Sequence, residues 1–288
     1  MNNRHDSQAA RAIAYTSVAM LAFAGNSIIC RLALRDGAID PSSFTSIRLI
    51  SGAIALLVIF GLKRRDQSLR SHGGWISALM LFAYAICFSY AYISLSAGAG
   101  ALILFGFVQA TMITIGVWTG DRPSVIEWLG WSFAFGGMVW LILPGVEAPP
   151  PAGAMLMALA GIAWGVYSIR GRTESDALAS TASNFTLSLV VVLILIAFTL
   201  SDAELSARGI ALAIVSGALT SGLGYVIWYA ALDYLSSMQA ALVQLSVPAI
   251  ATAGGVVLLA EPPSFRLLVS SALVLGGISL ALVRKTAK

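Results

Sequence analysis

Asn26, Gln109 and Gln244 are amides set within long apolar runs, and Tyr84, Trp164, Tyr225, Trp228 and Tyr229 share such runs with hydroxyls at Ser168 and Ser221. Their spacing is helical. Phe23, Asn26 and Cys30 follow at steps of three and four, as do Gly161, Trp164 and Ser168. Ser77, Tyr84 and Phe88 share a face, Ser221, Tyr225, Trp228 and the adjacent Tyr229 another, and Ser237, Gln244 and Pro248 a third. Indole and phenol faces stack on aromatic or aliphatic groups and attract an ammonium. Amides and free backbone groups at helix breaks can hold a carboxylate. The set therefore describes a binding site for a small neutral, zwitterionic or amphiphilic molecule. Taken singly, each amide reads equally well as a bond between helices and each aromatic as packing or as an interfacial belt residue. Recurrence of an aromatic beside a polar group in four separate runs favours the site.

Other chemistries are poorly supplied. No apolar run holds Asp, Glu, Lys or His in its interior, and His5 and His72 both lie outside the runs. There is no Ser-His-Asp or Cys-His grouping there and no metal-ligand spacing, so neither an enzyme nor a cofactor is expected. Cys30 and Cys87 read as packing residues. A buried carboxylate costs about 2.5 to 3.5 kcal/mol on insertion scales and marks proton-coupled carriers when it is kept; its absence argues against obligatory coupling of that kind. Scarcity of cations likewise argues against phosphorylated sugars. Arg48 is the exception, about two turns inside its run, where the favoured reading is snorkelling to the interface or pairing with a helix end and the other is a substrate carboxylate.

The elements that must position these groups span a bilayer. AVILMFWYC residues make up 58% of the chain and DEKR 10%, against roughly 25% charged in a soluble domain, and mean hydropathy is +0.87. The formal net charge of +4 comes from basic residues at the ends of apolar runs, which speaks for membrane orientation and against nucleic acid. A crossing helix needs about 20 apolar residues. Ten such runs are present: 12 to 34, 42 to 62, 74 to 95, 98 to 119, 124 to 144, 152 to 171, 180 to 200, 208 to 232, 236 to 259 and 264 to 283. The break at Ser96 to Gly100 is weak enough to allow one kinked segment instead of two. No small-residue cleavage site follows the first run, so it is read as a retained span. With the N-terminus in the cytoplasm, that side carries Arg4, Arg11, Lys63, Arg64, Arg65, Arg70, Arg122, Arg170, Arg172, Arg284, Lys285 and Lys288, and the other side Arg31, Arg35, Arg208 and Arg266. Both termini are thus expected inside. A lipid bilayer and a small-molecule substrate are the expected partners; monomer or dimer stays open.

The runs form two copies of one unit. A gapless shift of 140 lays Leu95-Ser96 on Leu235-Ser236, Ala101-Leu102 on Ala241-Leu242, Asp121 on Glu261, Pro123-Ser124 on Pro263-Ser264 and Gly136-Gly137 on Gly276-Gly277. The units are 1–146 and 152–288, with 147–151 as linker. Five spans per unit force the second copy to enter from the opposite face, so the expected fold is an all-α membrane protein with two inverted five-helix repeats. Such repeats exchange roles around a central site and point to a transporter. Trp164, Tyr225 and Gln244 stand opposite Ala24, Ala85 and Leu104, breaking the symmetry as a small asymmetric ligand requires. Gly98, Gly100, Gly106, Gly222, Gly224 and Pro248 are the candidate hinges, and the two double glycines are read as close helix contacts.

The chain resembles the ten-helix, two-EamA-repeat branch of the drug/metabolite transporter superfamily. The resemblance rests on Gly25-Asn26 with Arg31, on Pro41 with Arg48, on the acid-then-proline starts Asp121-Arg122-Pro123 and Glu261-Pro262-Pro263, on the double glycines and on Pro248. The family's usual proline in span four is replaced by Val108. Within the superfamily the chain is similar to bacterial aromatic amino-acid exporters of the YddG type. That similarity implies export of tryptophan, phenylalanine, tyrosine and other neutral amino acids across a bacterial inner membrane, with efflux of neutral or amphiphilic toxic compounds as the alternative.

Overall fold

The computed structural model describes residues 2–63, 72–120, 123–145, 147–172, 174, 176–235, 240 and 243–283. Expectations resting on Ser237, Asp121, Arg122, Arg64, Arg65, Arg70, Arg284, Lys285 and Lys288 lie outside these residues.

The described residues form α1 (Asn2–Leu34), α2 (Pro41–Lys63), α3 (Trp75–Ala91), α4 (Ala97–Trp118), α5 (Val125–Ile142), α6 (Pro151–Gly171) and α7 (Ala177–Thr199). They continue as α8 (Ala207–Leu232), α9 (Ser246–Leu259) and α10 (Phe265–Val283). Seven of these are long and apolar enough to cross a membrane; α3, α9 and α10 are shorter apolar helices. Three boundaries differ from expectation. α1 begins at Asn2, since nothing in the polar leader breaks a helix, α3 ends at Ala91, and a turn at Leu245 sets the start of α9 at Ser246.

Helix starts follow from local chemistry. Ser96, Asp176 and Ser206 each accept a backbone N–H from the first turn, and Ser124 with Glu127 closes a capping box at the head of α5. Ser96 thereby resolves the weak break: α3 ends at Ala91 with Tyr92 as its cap, a turn follows, and α4 starts anew. Within the apolar helices Thr45, Ser46, Thr111 and Thr181 turn their hydroxyls back to the carbonyl four residues earlier. This satisfies donors that lipid cannot.

Packing respects the 140-residue shift. α5 packs on α10 and α2 on α7; α3 and α4 pack on α6 as α8 and α9 pack on α1; α2 meets α8 as α7 meets α3. Glycine permits the close crossing of α5 with α10, where a Cβ at Gly130 would strike the Gly277 carbonyl at 2.5 Å. Gly137 abuts Leu273 and Val274. Gly136 and Gly276 face open space, so one glycine of each pair, not both, makes the contact.

Five connections meet at one end of the bundle. Asp40 and Glu204 exchange backbone and side-chain bonds across the bridge of Ile39 to Leu205. Ser206 donates to the Ala38 carbonyl, and Arg266 to the carbonyls of Leu141 and Leu143. Arg31 donates its Nε to Glu261 at 2.8 Å and its Nη1 to the carbonyls of Tyr92 and Ile93, while the second Glu261 oxygen accepts the Ala97 N–H at 2.8 Å. Arg35 reaches the Leu259 carbonyl. Three helix ends are thus held around one carboxylate.

Candidate functional site

Near the middle of the bundle Phe23, Asn26 and Ser27 of α1, Tyr84 and Phe88 of α3, Leu104 and Phe105 of α4, Trp164 of α6, and Thr220, Ser221 and Tyr225 of α8 enclose a cavity. It is tight: about 20 Å³ is open to the centre of a water molecule, room for a water or two and too little for an amino acid. Trp164 stands between two phenols, its ring 4.9 Å from Tyr84 and 5.1 Å from Tyr225. Phe23 closes on Tyr225 and Trp228, each at 5.9 Å. These are the separations of mutually attractive aromatic rings.

The polar wall is a connected network. Ser216 donates to Asn26 Oδ1 at 2.7 Å, and Thr220 shares its hydroxyl between that oxygen, at 3.1 Å, and the Ser216 carbonyl. Asn26 Nδ2 donates to Tyr84 Oη at 3.4 Å. Arg48 enters from behind this wall, donating Nη2 to the same Tyr84 oxygen at 3.1 Å and Nε to Ser221 Oγ at 3.2 Å. Its guanidinium lies 5.2 Å from the Tyr84 ring centroid and 5.1 Å from that of Phe88. Arg48 is 2% exposed, so the snorkelling expected from its position in the sequence is corrected. The reason is geometric. The guanidinium is held between Tyr84 and Phe88 of α3 and Ser221 of α8, which turns it into the bundle instead of along α2 to an interface.

Backbone shape lets the network close. Residues Ser216–Leu223 of α8 take the wider π-helical form, a local departure frequent at functional sites. Gly217 sits at the contact, where a Cβ would overlap Ser51 Oγ and the Arg48 carbonyl, and a Cβ at Gly52 would strike Phe185 and approach the Gly217 carbonyl. Small residues on both helices bring the π segment within reach of Arg48.

Of the residues expected to bind substrate, Asn26, Tyr84, Trp164, Ser221 and Tyr225 line the cavity, and Trp228 adjoins it through Phe23. Gln109 is buried on α4 without reaching the cavity wall. Ser168 and Tyr229 lie a turn beyond Trp164 and Tyr225, and Gln244 bonds the Ala240 carbonyl. The candidate hinges are also placed. Gly98 is packed against Thr252 and Leu267, Gly100 against the Tyr92 ring, Gly106 against Met138 and Gly224 against Ala22, while Gly222 closes the π segment near Gly52 and Ala55. Pro248 is buried in the first turn of α9, where a missing N–H is tolerated. Ser27, Thr220, Ser216 and Arg48 are contributors that the helical stripes omitted. A hydroxyl pair at Ser216 and Thr220, four apart, was the available signal. Among the described residues no group of three or more His, Cys, Asp or Glu could hold a metal.

Seven helices long and apolar enough to cross a membrane, packed around a small aromatic and polar cavity, mark a multi-pass membrane protein. The EamA-like transporter family matches the chain twice, over residues 10–143 and 151–283, and the chain belongs to that family. It is 48% identical over 272 residues to the uncharacterised protein PA1977 of Pseudomonas aeruginosa, covering 94% of each chain. A solved crystal structure shares the fold with a TM-score of 0.64, covering 94% of this chain and 96% of the other at 18% identity.

Proposed function

We propose that this protein carries aromatic and other neutral amino acids, or closely related small metabolites, out of a bacterial cytoplasm by alternating access and without a buried proton carrier. One observation carries the reading: Trp164 held between Tyr84 and Tyr225, facing Asn26, Thr220 and Ser221 across a cavity with no carboxylate on its wall. Aromatic faces accept a planar side chain or an ammonium, and the amide and hydroxyls supply directed bonds. In this reading all ten helices cross the inner membrane, with 1–146 and 152–288 as inverted halves and both termini in the cytoplasm. The matched packing under the 140-residue shift and the gathering of alternate loops at one end support that topology. The cavity is too small for the substrate as it stands, so Trp164, Phe23 or the helices that bear them must move for loading, as rocking of two repeats about a central site provides.

Uptake of labelled tryptophan, phenylalanine and alanine into proteoliposomes, with and without an imposed pH gradient, tests this. Saturable and mutually competed uptake that ignores the gradient is the expected result. Movement of a lipophilic drug with no amino acid transported transfers the function to efflux of amphiphiles. A strong dependence on the gradient removes the argument from missing carboxylates.

A further inference from the structure

We infer that Arg48 is the anion-binding group of the central site and takes the carboxylate of the transported molecule, an assignment that rests on the amino-acid reading above and narrows it. A guanidinium has five N–H donors and stays charged at any physiological pH. Two donors of Arg48 are used, by Tyr84 and Ser221, and Nη1 has no hydrogen-bond partner among the described residues. Among the described residues no carboxylate forms an ion pair with it, Glu261 being paired with Arg31 and Asp36 with Arg35. Glu261 is taken by Arg31 and by the Ala97 N–H. Burying a charge this deeply is costly unless an anion and further hydrogen bonds compensate it. Here the protein supplies two hydroxyls and two ring faces.

A carboxylate can reach the guanidinium from the cavity. Tyr84, Phe88 and Ser221, which touch the guanidinium, all line the cavity. A carboxylate displacing the Tyr84 hydroxyl from Nη2 and occupying Nη1 forms the bidentate pair that guanidinium geometry favours. Asn26 already holds the Tyr84 hydroxyl from the other side, at 3.4 Å, and gives it a place to go. With the carboxylate at Arg48, an amino acid lays its ammonium and side chain against the Trp164, Tyr225 and Phe23 faces. One guanidinium matches one carboxylate and leaves a phosphate dianion undercompensated.

Binding to the purified full-length protein in nanodiscs, measured by calorimetry, tests the assignment with tryptophan, indole-3-propionate and tryptamine. The first two carry a carboxylate and the third does not. Tryptophan and indole-3-propionate are expected to bind about tenfold to a hundredfold more tightly than tryptamine. Arg48→Gln should abolish that preference without weakening tryptamine, and Arg48→Lys should keep part of it. Equal binding of all three ligands to the native protein overturns the inference, and because that panel needs no mutant it decides even if Arg48→Gln does not fold. A preference that survives in folded Arg48→Gln overturns it as well. So does a response to replacing chloride by isethionate, an anion without a carboxylate, that matches the carboxylate effect, which would make the anion a halide. Failure of the two readings is distinguishable: indole-3-propionate bound with tryptophan ignored leaves Arg48 in place and removes the amino-acid assignment. Tryptophan transported no better than tryptamine does the reverse.

Discussion

At the scale of single residues, Trp164 is the side chain that most directly couples the walls of the cavity. It belongs to α6, yet its ring touches α3 through Tyr84 and α8 through Tyr225, and it stacks on Tyr167 of its own helix at 5.3 Å. The side chain is half-buried, so removing it opens the cavity rather than leaving a sealed hole in a core. Trp164→Ala should therefore raise KM for tryptophan uptake by about tenfold, the worth of one aromatic pair, with little change in folded yield or Tm; Trp164→Phe should recover most of it. Unaltered kinetics in the alanine variant would take Trp164 out of the site. Trp164 and Tyr225 were legible in the sequence because helical spacing states which residues share a face, and the polar neighbours state which face turns inward. Arg48 was misread for the opposite reason. It lies seven residues past Pro41, about 10 Å along α2, a depth at which a free arginine reaches the interface. Only the neighbouring helices decide that it does not. Gln109 and Gln244 show the same limit: Gln109 lies one turn beyond the cavity-lining Phe105 on α4, and Gln244 bonds the Ala240 carbonyl, so helical spacing marks the face without marking the depth.

At the scale of elements, the contact of α2 with α8 is what allows the network to exist. The π segment of α8 carries Ser216, Thr220 and Ser221, three of the polar groups of the wall, and it can approach α2 because Gly217 has no Cβ. Nothing in the sequence of that segment announces a π turn, as there is no proline and the glycines fit an ordinary helix in membrane equally well. Gly217→Leu should push α8 off α2, cost about 1 to 3 kcal/mol as overpacking does, and reduce transport even in the fraction that folds. Gly136→Ala is the matched control on a helix face with open space. It should be neutral or stabilise by about 0.5 to 1 kcal/mol, the usual gain of alanine over glycine within a helix. Thermal unfolding of both variants in the same detergent checks the pair, and equal loss at the two positions would mean that the close approach at Gly217 contributes nothing special. The double-glycine motifs looked identical in sequence, and only the crossing of α5 with α10 separates the packed glycine from the idle one.

At the scale of the whole molecule, the duplication was legible because the shift of 140 needs no gap, and the matched helix contacts follow from it. Which end of the bundle is shut was not legible. Arg31 and Glu261 are 230 residues apart and belong to motifs that had no reason in sequence to meet. In the structure their ion pair ties the end of α1 to the start of α4 and the loop before α10, and Arg31 also holds the carbonyls that cap α3. Under the proposed topology this end faces outward, so the latch closes the outer path to the cavity and must break for release. Replacing Glu261 with Gln keeps the shape, removes the charge and weakens charge-assisted bonds each worth about 1.5 to 3 kcal/mol. The balance of states should shift toward outward opening by up to about tenfold to a hundredfold. Leu104→Cys, a cavity-wall position, provides the readout once Cys30 and Cys87 are changed to alanine. A membrane-impermeant thiol reagent added from outside should label it slowly with Glu261 intact and severalfold faster in Glu261→Gln. Equal rates from outside in both backgrounds would mean that the ion pair is a structural tie, and faster labelling from inside instead would invert the proposed orientation.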